Sequence, residues 1–215
     1  KSGIAVSEKR ALRTMRKPGL AGRGATRKHR IQEKVGPGGP RSNLVERAFA
    51  AGGRNRLWAG GIACMPAREG WLYLAAATGA FSRKVVGRSM SGRITEKAAI
   101  DAIGRAVGRE GPPDGGGLVF HDDQGAQYTS RSFQRCLDSR GVVQSASRPG
   151  TPLDNAVAES FFKTLKRESP EERSYGTRDE AKRDIFKCIE LYCNRVRMHP
   201  ALDCMSPVEY ERQYA

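Results

Sequence analysis

The sequence predicts an α/β domain in which helices flank a mixed β-sheet, with a basic helical arm before it. Short apolar runs bounded by turn residues alternate with segments whose apolar residues recur at helical spacing. The distribution of charge supports the same division. The chain carries 38 Lys+Arg against 23 Asp+Glu, and residues 1–56 hold 15 of these basic residues with only 3 Glu. A basic arm therefore precedes a nearly balanced globular part, which favours a polyanionic partner.

The arm begins with a helical pattern at residues 7–17, where Ser7 can cap a helix that Pro18-Gly19 ends. A Gly-rich basic stretch follows, and it predicts a flexible linker that either lies along phosphates or is simply a solvated tail. The chain begins Lys-Ser-Gly without a Met, which suggests a fragment. We expect a basic helical segment at 1–34, a linker at 35–54 and a globular domain at 55–215.

The globular part begins with three apolar runs that predict a meander of three strands. Helical stripes and short buried strands then alternate, so that the predicted order is β-β-β-α-β-α-β-α-α. Function in such sheets sits where strands end at their carboxyl edge. We expect strands at 57–65, 71–78, 81–90, 117–121 and 142–147, and helices at 95–108, 129–141, 155–168 and 177–197.

Two carboxylates stand out in this order. Asp123 follows the strand GLVFH, and Glu159 lies one turn into a later helix, with 35 residues between them. Lys163 and Lys166 fall on the Glu159 face of that helix. This pattern suits a metal ion beside a DNA phosphate, because hard cations prefer oxygen ligands. The alternative is a solvated Glu–Lys pair.

Composition excludes several classes of protein. No run of about 18 apolar residues could span a membrane, and the basic N-terminus lacks an apolar signal core. The chain has 5 Cys at irregular spacing, which fits neither a disulfide framework nor a zinc site. We therefore expect free thiols.

Four stretches give the sequence a specific resemblance. They read HDDQGAQYTS, SRPGTPLDNAVAESFFKTLKRE, YCNRVRMHPALDCMSP and WLYLAAATGAFSRKVVG. Together they resemble the integrase core of insertion-sequence transposases of the IS3 type and, more distantly, retroviral integrases. The likeness covers roughly residues 42–210, and SEKRALRTMRKPGL resembles the end of the helix-turn-helix-like segment that precedes the core.

This resemblance implies a ribonuclease-H-like fold with a five-stranded mixed sheet and an integrase catalytic core at 55–215. It implies a D, D-35-E site whose three carboxylates bind two Mg²⁺ (or Mn²⁺) ions for cleavage and joining of DNA at insertion-sequence ends. The second Asp of the family falls on Asp123 and its Glu on Glu159. The first Asp falls on Gly61, in the centre of the strand WAGGIACM.

The Gly61 position explains why a predicted strand carries two central glycines, which normally weaken it. Since members of a catalytic unit fail together, we expect this copy to be impaired. Rescue by Glu69 or Asp122 is not expected, because Glu69 is too distant and Asp122 should point elsewhere. The alternative function is a catalytically dead DNA-binding protein that interferes with active transposase.

The basic residues Lys163, Lys166 and Arg167 on the helix of Glu159 are the candidates for contacts to DNA phosphates. Gln127 and His121 are further candidates; packing of the loop and capping of the strand are their respective structural alternatives. Arg197 and His199 belong to a segment that either clamps the core or contacts DNA. The implied partners are insertion-sequence ends and target DNA, further copies of the chain and a protein from an upstream reading frame. The expected location is cytoplasmic and nucleoid-associated, with no membrane.

Overall fold

Five strands form one mixed sheet in the computed structural model, which describes residues 7–18, 37–111, 116–168 and 175–215. The strands are β1 (Leu57–Ala67), β2 (Gly70–Gly79), β3 (Val85–Ser91), β4 (Val119–Asp122) and β5 (Val143–Ala146). Their order across the sheet is β3-β2-β1-β4-β5. The first three strands are antiparallel, as the meander predicted, whereas β4 and β5 join parallel. The predicted mixed five-stranded sheet is confirmed.

Helices cover both faces of this sheet. Apart from α1 (Glu8–Arg16), which belongs to a separate compact unit at residues 1–31, the described helices are α2 (Glu96–Glu110), α3 (Arg131–Asp138), α4 (Ala156–Glu168), α5 (Arg178–Lys187) and α6 (Pro207–Tyr214). The helix predicted at 177–197 is shorter, because α5 passes into a π-helical turn at Cys188–Cys193 and then leaves helical geometry. The pattern reading missed α6, although the capping box formed by Ser206 and Glu209 before Pro207 is a sequence signal for its start.

The two faces of the sheet bury different clusters, because side chains alternate along each strand. Trp58 of β1 and Phe120 of β4 pack under α2 and α3, with Ile103 and Phe133. On the opposite face, side chains under α4 and α5 form two further clusters. They include Ala59, Met65, Val157, Ala158, Leu165, Ile185 and Ile189.

The described part of the expected linker lies along the globular part. The N–H of Gly38 donates to the carbonyl oxygen of Thr129 at 2.7 Å, and Val45 is buried. Residues 32–215 form one compact unit and residues 1–31 another. Residues 1–6 and 19–36 of the expected arm and linker lie outside the described residues, so the division at residues 34 and 54 stays a prediction.

In the residues 1–31 unit, Ser7 caps α1 through its hydroxyl, which accepts from the N–H of Arg10. All five cysteines are free. Within the part of the chain that the structure describes, no helix is long and apolar enough to cross a membrane.

Candidate active site

The two predicted carboxylates meet at the carboxyl end of β4. Asp123 follows this strand directly, and Glu159 lies in the first turn of α4 with its side chain 35% exposed. The pKa of Asp123 is raised, first because surrounding protein displaces water from the carboxylate and further because Glu159 is negative. The N–H of Gly125 opposes the rise by donating to Asp123 Oδ1 at 3.2 Å. The fold therefore brings these two acids within electrostatic reach.

The start of α4 is fixed to the sheet by Asn155. A 3-10 turn at Pro152–Asn155 leads into the helix, and Asn155 Nδ2 donates to the carbonyl oxygen of Gly60 at 2.8 Å. This bond joins the helix that carries Glu159 to the centre of β1. Neither Asp154 nor Asn155 caps α4, although both residue types favour caps, because Asn155 Oδ1 has no partner in the described structure and the Asp154 carboxylate bonds within the loop.

Asp154 instead holds the loop before α4. Its buried carboxylate accepts from Arg47 Nε and Arg148 Nε, each at 2.7 Å, and from Asn43 Nδ2 at 3.2 Å. The two guanidinium groups hold the pKa of this carboxyl well below its usual range. Three chain segments therefore converge on one charge in the loop that leads into α4.

Gly61, the predicted position of the first acid, lies in the centre of β1. The parallel register sets Ala59 level with His121, so continuing it sets Gly61 level with Asp123. Neighbouring strands lie about 4.8 Å apart, within reach of a shared ion. A Cβ on Gly61 would lie 2.9 Å from Phe162 Cε2, so the ring of Phe162 fills the space beside this glycine.

Neither expected substitute for the missing acid reaches the site. Asp122 points to the opposite face, where Oδ2 accepts from Gln144 Nε2 at 2.8 Å and Oδ1 accepts from the N–H of Gln124 at 2.9 Å. Burial raises the pKa of Asp122 to about 7. Glu69 lies at the far hairpin, where it accepts from the N–H of Arg178. The described residues contain no group of three His, Cys, Asp or Glu side chains suited to a metal ion.

The donor set decides what the site can hold. Asp123, in the loop after β4, and Glu159, on α4, supply carboxylate oxygens, and Mg²⁺ commonly binds through one or two carboxylates plus substrate phosphates. These two residues therefore fit one divalent cation. They do not fit the cation pair that the family resemblance implies, since no carboxylate stands at Gly61.

Basic side chains of α4 lie next to the two acids. Lys163 Nζ lies 3.5 Å from Glu159 Oε2, and the Lys163 side chain is 68% exposed. Lys166 is half-buried and Arg167 is exposed. The predicted placement of Lys163 on the Glu159 face is therefore observed, and the DNA contacts of all three residues stay predictions.

The predicted DNA contact at His121 is wrong, because the ring is fully buried. Its Nε2 donates to the carbonyl oxygen of Asp154 at 2.7 Å, and Nδ1 accepts from Ser145 Oγ at 2.8 Å. His121 thus ties β4 to β5 and to the loop before α4. Gln127 is half-buried in the loop after Asp123, and its substrate contact stays a prediction.

Sequence reasoning also missed the role of Phe162. Its position three residues after Glu159 was visible, but only the packed structure shows that its ring covers the missing ligand position.

Comparison with known proteins agrees with this geometry. Two family models described as integrase core domain match residues 52–152 and 140–207. The transposase for insertion sequence element IS904 of Lactococcus lactis subsp. lactis (strain IL1403) is 43% identical, over 98% of this chain and 83% of the relative. The transposase InsF for insertion sequence IS3A of Escherichia coli (strain K12) is 36% identical, over 98% of this chain and 73% of the relative.

Solved structures show the same fold. The HTLV-2 integrase catalytic core domain in complex with magnesium (trimeric form) has a TM-score of 0.55 at 18% identity, covering 75% of this chain and 99% of that chain. The simian T-cell lymphotropic virus intasome has a TM-score of 0.59 at 18% identity, covering 86% and 61%. The sheet is therefore ribonuclease-H-like, and the chain belongs to the family of IS3-type insertion-sequence transposases with an integrase core domain.

Proposed function

We propose that this chain acts in DNA transposition at insertion-sequence ends, through a metal-dependent site that is impaired at one corner. The observation that carries the proposal is the convergence of Asp123 and Glu159 beside Gly61, whose side-chain space is filled by Phe162. The reaction class is cleavage and joining of phosphodiester bonds by in-line displacement. Two of the three predicted carboxylate ligands for the metal are present. We therefore expect DNA binding by this chain to be less impaired than catalysis.

Each residue has a separate task in this reaction. Asp123 and Glu159 would hold Mg²⁺ (or Mn²⁺), which when bound neutralises charge on the phosphate and activates the attacking oxygen. Lys163 draws a DNA phosphate to the Glu159 face and offsets its charge. Burial and the negative charge of Glu159 raise the pKa of Asp123, and a bound cation would favour its ionised form.

The test restores the missing carboxylate. The full chain is compared with Gly61→Asp, Gly61→Ala and the double variant Gly61→Asp/Glu159→Gln in cleavage of labelled element-end DNA with Mg²⁺ or Mn²⁺. Gly61→Ala is the matched control, because it adds the same Cβ beside Phe162 without the ligand. We expect at least a hundredfold gain in Gly61→Asp alone, since one lost member of a catalytic unit costs orders of magnitude.

Equal activity in the unchanged chain and Gly61→Asp would contradict the proposed impairment. Activity that persists in the double variant would contradict the role of Glu159. A gain shared by Gly61→Ala would show that displacement of Phe162, and not a new carboxylate, produces the effect.

The second candidate function is a DNA-binding protein without catalysis that interferes with active transposase. The observation that favours it is the preserved scaffold around the lost ligand, with the Asn155 anchor and the basic α4 face intact. The measurement is strand transfer by an active IS3-type relative in the presence of increasing amounts of this chain. Inhibition that persists at saturating DNA would support mixed assemblies, and no inhibition would contradict this function.

The proposal includes assembly with further copies, target DNA and a protein from an upstream reading frame. The structural neighbours include trimeric and dimeric forms of an integrase core and an intasome. Sedimentation of the full chain with and without element-end DNA tests self-association. A monomer under both conditions would contradict it.

A further inference from the structure

A cavity of about 360 Å³ lies on the flank of α4 beside the candidate site. One part of its wall is apolar and includes Phe49, Phe161 and Pro200. The other part carries Arg83, from the β2–β3 turn, with Arg197 and His199. The lining therefore combines apolar side chains with a cluster of basic ones.

Charge in this cavity is not balanced by the described residues. No Asp or Glu lines it, and the Arg83 side chain makes no hydrogen bond or ion pair within the described ranges. Burial lowers the pKa of Arg83. Burial and the positive charges of Arg197 and Arg83 also lower the pKa of His199 to about 4. An arriving anion would relieve both costs.

The second observation is an unsatisfied hydroxyl. Thr78 is 2% exposed and lines the cavity, and its Oγ1 has no hydrogen-bond partner in the described structure. Buried polar groups without partners cost free energy, so a ligand that hydrogen-bonds there gains affinity. Arg197 is already oriented, because Nη2 donates to Thr164 Oγ1 at 3.3 Å.

The volume indicates an organic ligand with an anionic group. Pockets of about 300–1,000 Å³ accommodate such ligands, whereas an inorganic phosphate would leave the apolar part unfilled. Aromatic side chains such as Phe49 and Phe161 can stack on nucleic-acid bases. Guanidinium groups match phosphate oxygens in geometry and charge.

We propose that this cavity binds one unstacked nucleotide of the DNA strand, with its phosphate at Arg83, Arg197 and His199 and its base in the apolar part. The DNA source of the nucleotide rests on the proposed function. Ser160 lines the cavity and directly follows Glu159 in α4, so the two sites occupy adjacent faces of one helix. A helix is about 10–12 Å across, a span that a strand covers in a few nucleotides.

The test measures the cavity without element DNA. Deoxyadenosine 5′-monophosphate is titrated into the full chain and into Arg83→Gln, Thr78→Val and Arg93→Gln, with NMR detection of the His199 ring. Arg93 is the matched control, because it is exposed and does not line the cavity. We expect Arg83→Gln to weaken binding about tenfold to a hundredfold. Thr78→Val should weaken it by less, and the bound phosphate should raise the pKa of His199.

Several results would overturn the inference. One is equal binding by the unchanged chain, Arg83→Gln and Thr78→Val. Another is binding of inorganic phosphate or hexanoate as tight as that of the nucleotide, which would mean that the cavity selects no nucleotide. Unfolded variants are recognised by circular dichroism, and the His199 shift in the unchanged chain then decides, since an absent shift contradicts the proposal.

A parallel gel-shift assay with element-end DNA separates this inference from the proposed function. Bound DNA with no nucleotide in the cavity overturns the inference alone. Arg83-dependent nucleotide binding without any DNA binding supports a nucleotide cavity and counts against the transposition function.

Discussion

The two faces of β1 treat neighbouring glycines differently. On the α2–α3 face, a Cβ at Gly60 would lie 2.1 Å from Phe120 Cζ, in the middle of the largest aromatic cluster. On the α4 face, a Cβ at Gly61 would meet only the edge of Phe162, at 2.9 Å. Packing therefore requires the first glycine, whereas the second stands where chemistry would place a carboxylate.

The end of β4 shows a similar contrast, here between two neighbouring aspartates that point to opposite faces of the sheet. Asp122 points to the α3 face, where it is buried and hydrogen-bonded to Gln144. Asp123 points to the α4 face, where its carboxylate interacts with Glu159. Both faces of the sheet bury core side chains, but only the α4 face also carries the two acids proposed for the reaction.

The largest stability effect expected on the α3 face is a pH dependence from Asp122. Its folded pKa of about 7 exceeds the usual 3.8, so the folded state holds a proton that the unfolded state has lost. The protonated Asp122 therefore adds to the free energy of unfolding. This stabilisation is fully present below pH 4 and is lost as the pH rises to 7. The upper bound is on the order of 4 kcal/mol. Urea unfolding of the unchanged chain and Asp122→Asn from pH 4 to 8 should show a flatter profile for the variant, and identical slopes would contradict the assignment.

A substitution at Gly60 tests the packing half of the comparison. We expect Gly60→Ala to lower the free energy of unfolding by about 3 kcal/mol, because the new methyl group meets the end of a buried ring. Gly61→Ala should cost about 1 kcal/mol, since the edge of half-buried Phe162 can rotate away. Chemical denaturation measures both, and equal losses would remove the distinction between the faces.

A substitution at Phe162 tests whether its ring limits the space for a carboxylate at position 61. Adding Phe162→Leu to Gly61→Asp frees space for the new carboxylate, so we expect up to a tenfold further rise in Mg²⁺-dependent strand cleavage, equivalent to about 1.4 kcal/mol. Phe186→Leu, which shortens an exposed ring on α5, is the control and should leave the rate unchanged. A matching rise in the control would mean that general loosening is responsible.

The smallest expected effect is at Lys163. Lys163→Gln should weaken binding of element-end DNA several-fold and reduce the salt dependence by about one ion, as loss of one phosphate contact does. Stability should change by no more than about 0.5 kcal/mol, because the pair with Glu159 is exposed. Lys187→Gln on α5 is the control. Fluorescence anisotropy at several salt concentrations would show equal slopes for both variants if α4 does not contact DNA.

Local sequence patterns predicted the order of the strands and of most helices. They also predicted that Asp123 follows a strand and that Glu159 lies near the start of a helix. Periodicity and turn residues act over a few positions, and the sequence displays them directly. The roles of Asn155 and His121 were not predictable in this way. Asn155 bonds to Gly60 across 95 residues, and His121 to the Asp154 carbonyl across 33. The cavity with Arg83 and His199 likewise depends on segments that only tertiary packing joins.

The hydrogen bond from Asn155 to the Gly60 carbonyl affects how this fold tolerates mutations in the candidate site. It fastens α4 through the main chain, so the architecture of the site does not depend on the side chain at position 61. Mutation at position 61 can thus remove the proposed chemistry while leaving the anchor of α4 in place. A silent copy of this kind would act as a decoy and could regain activity through a single codon change.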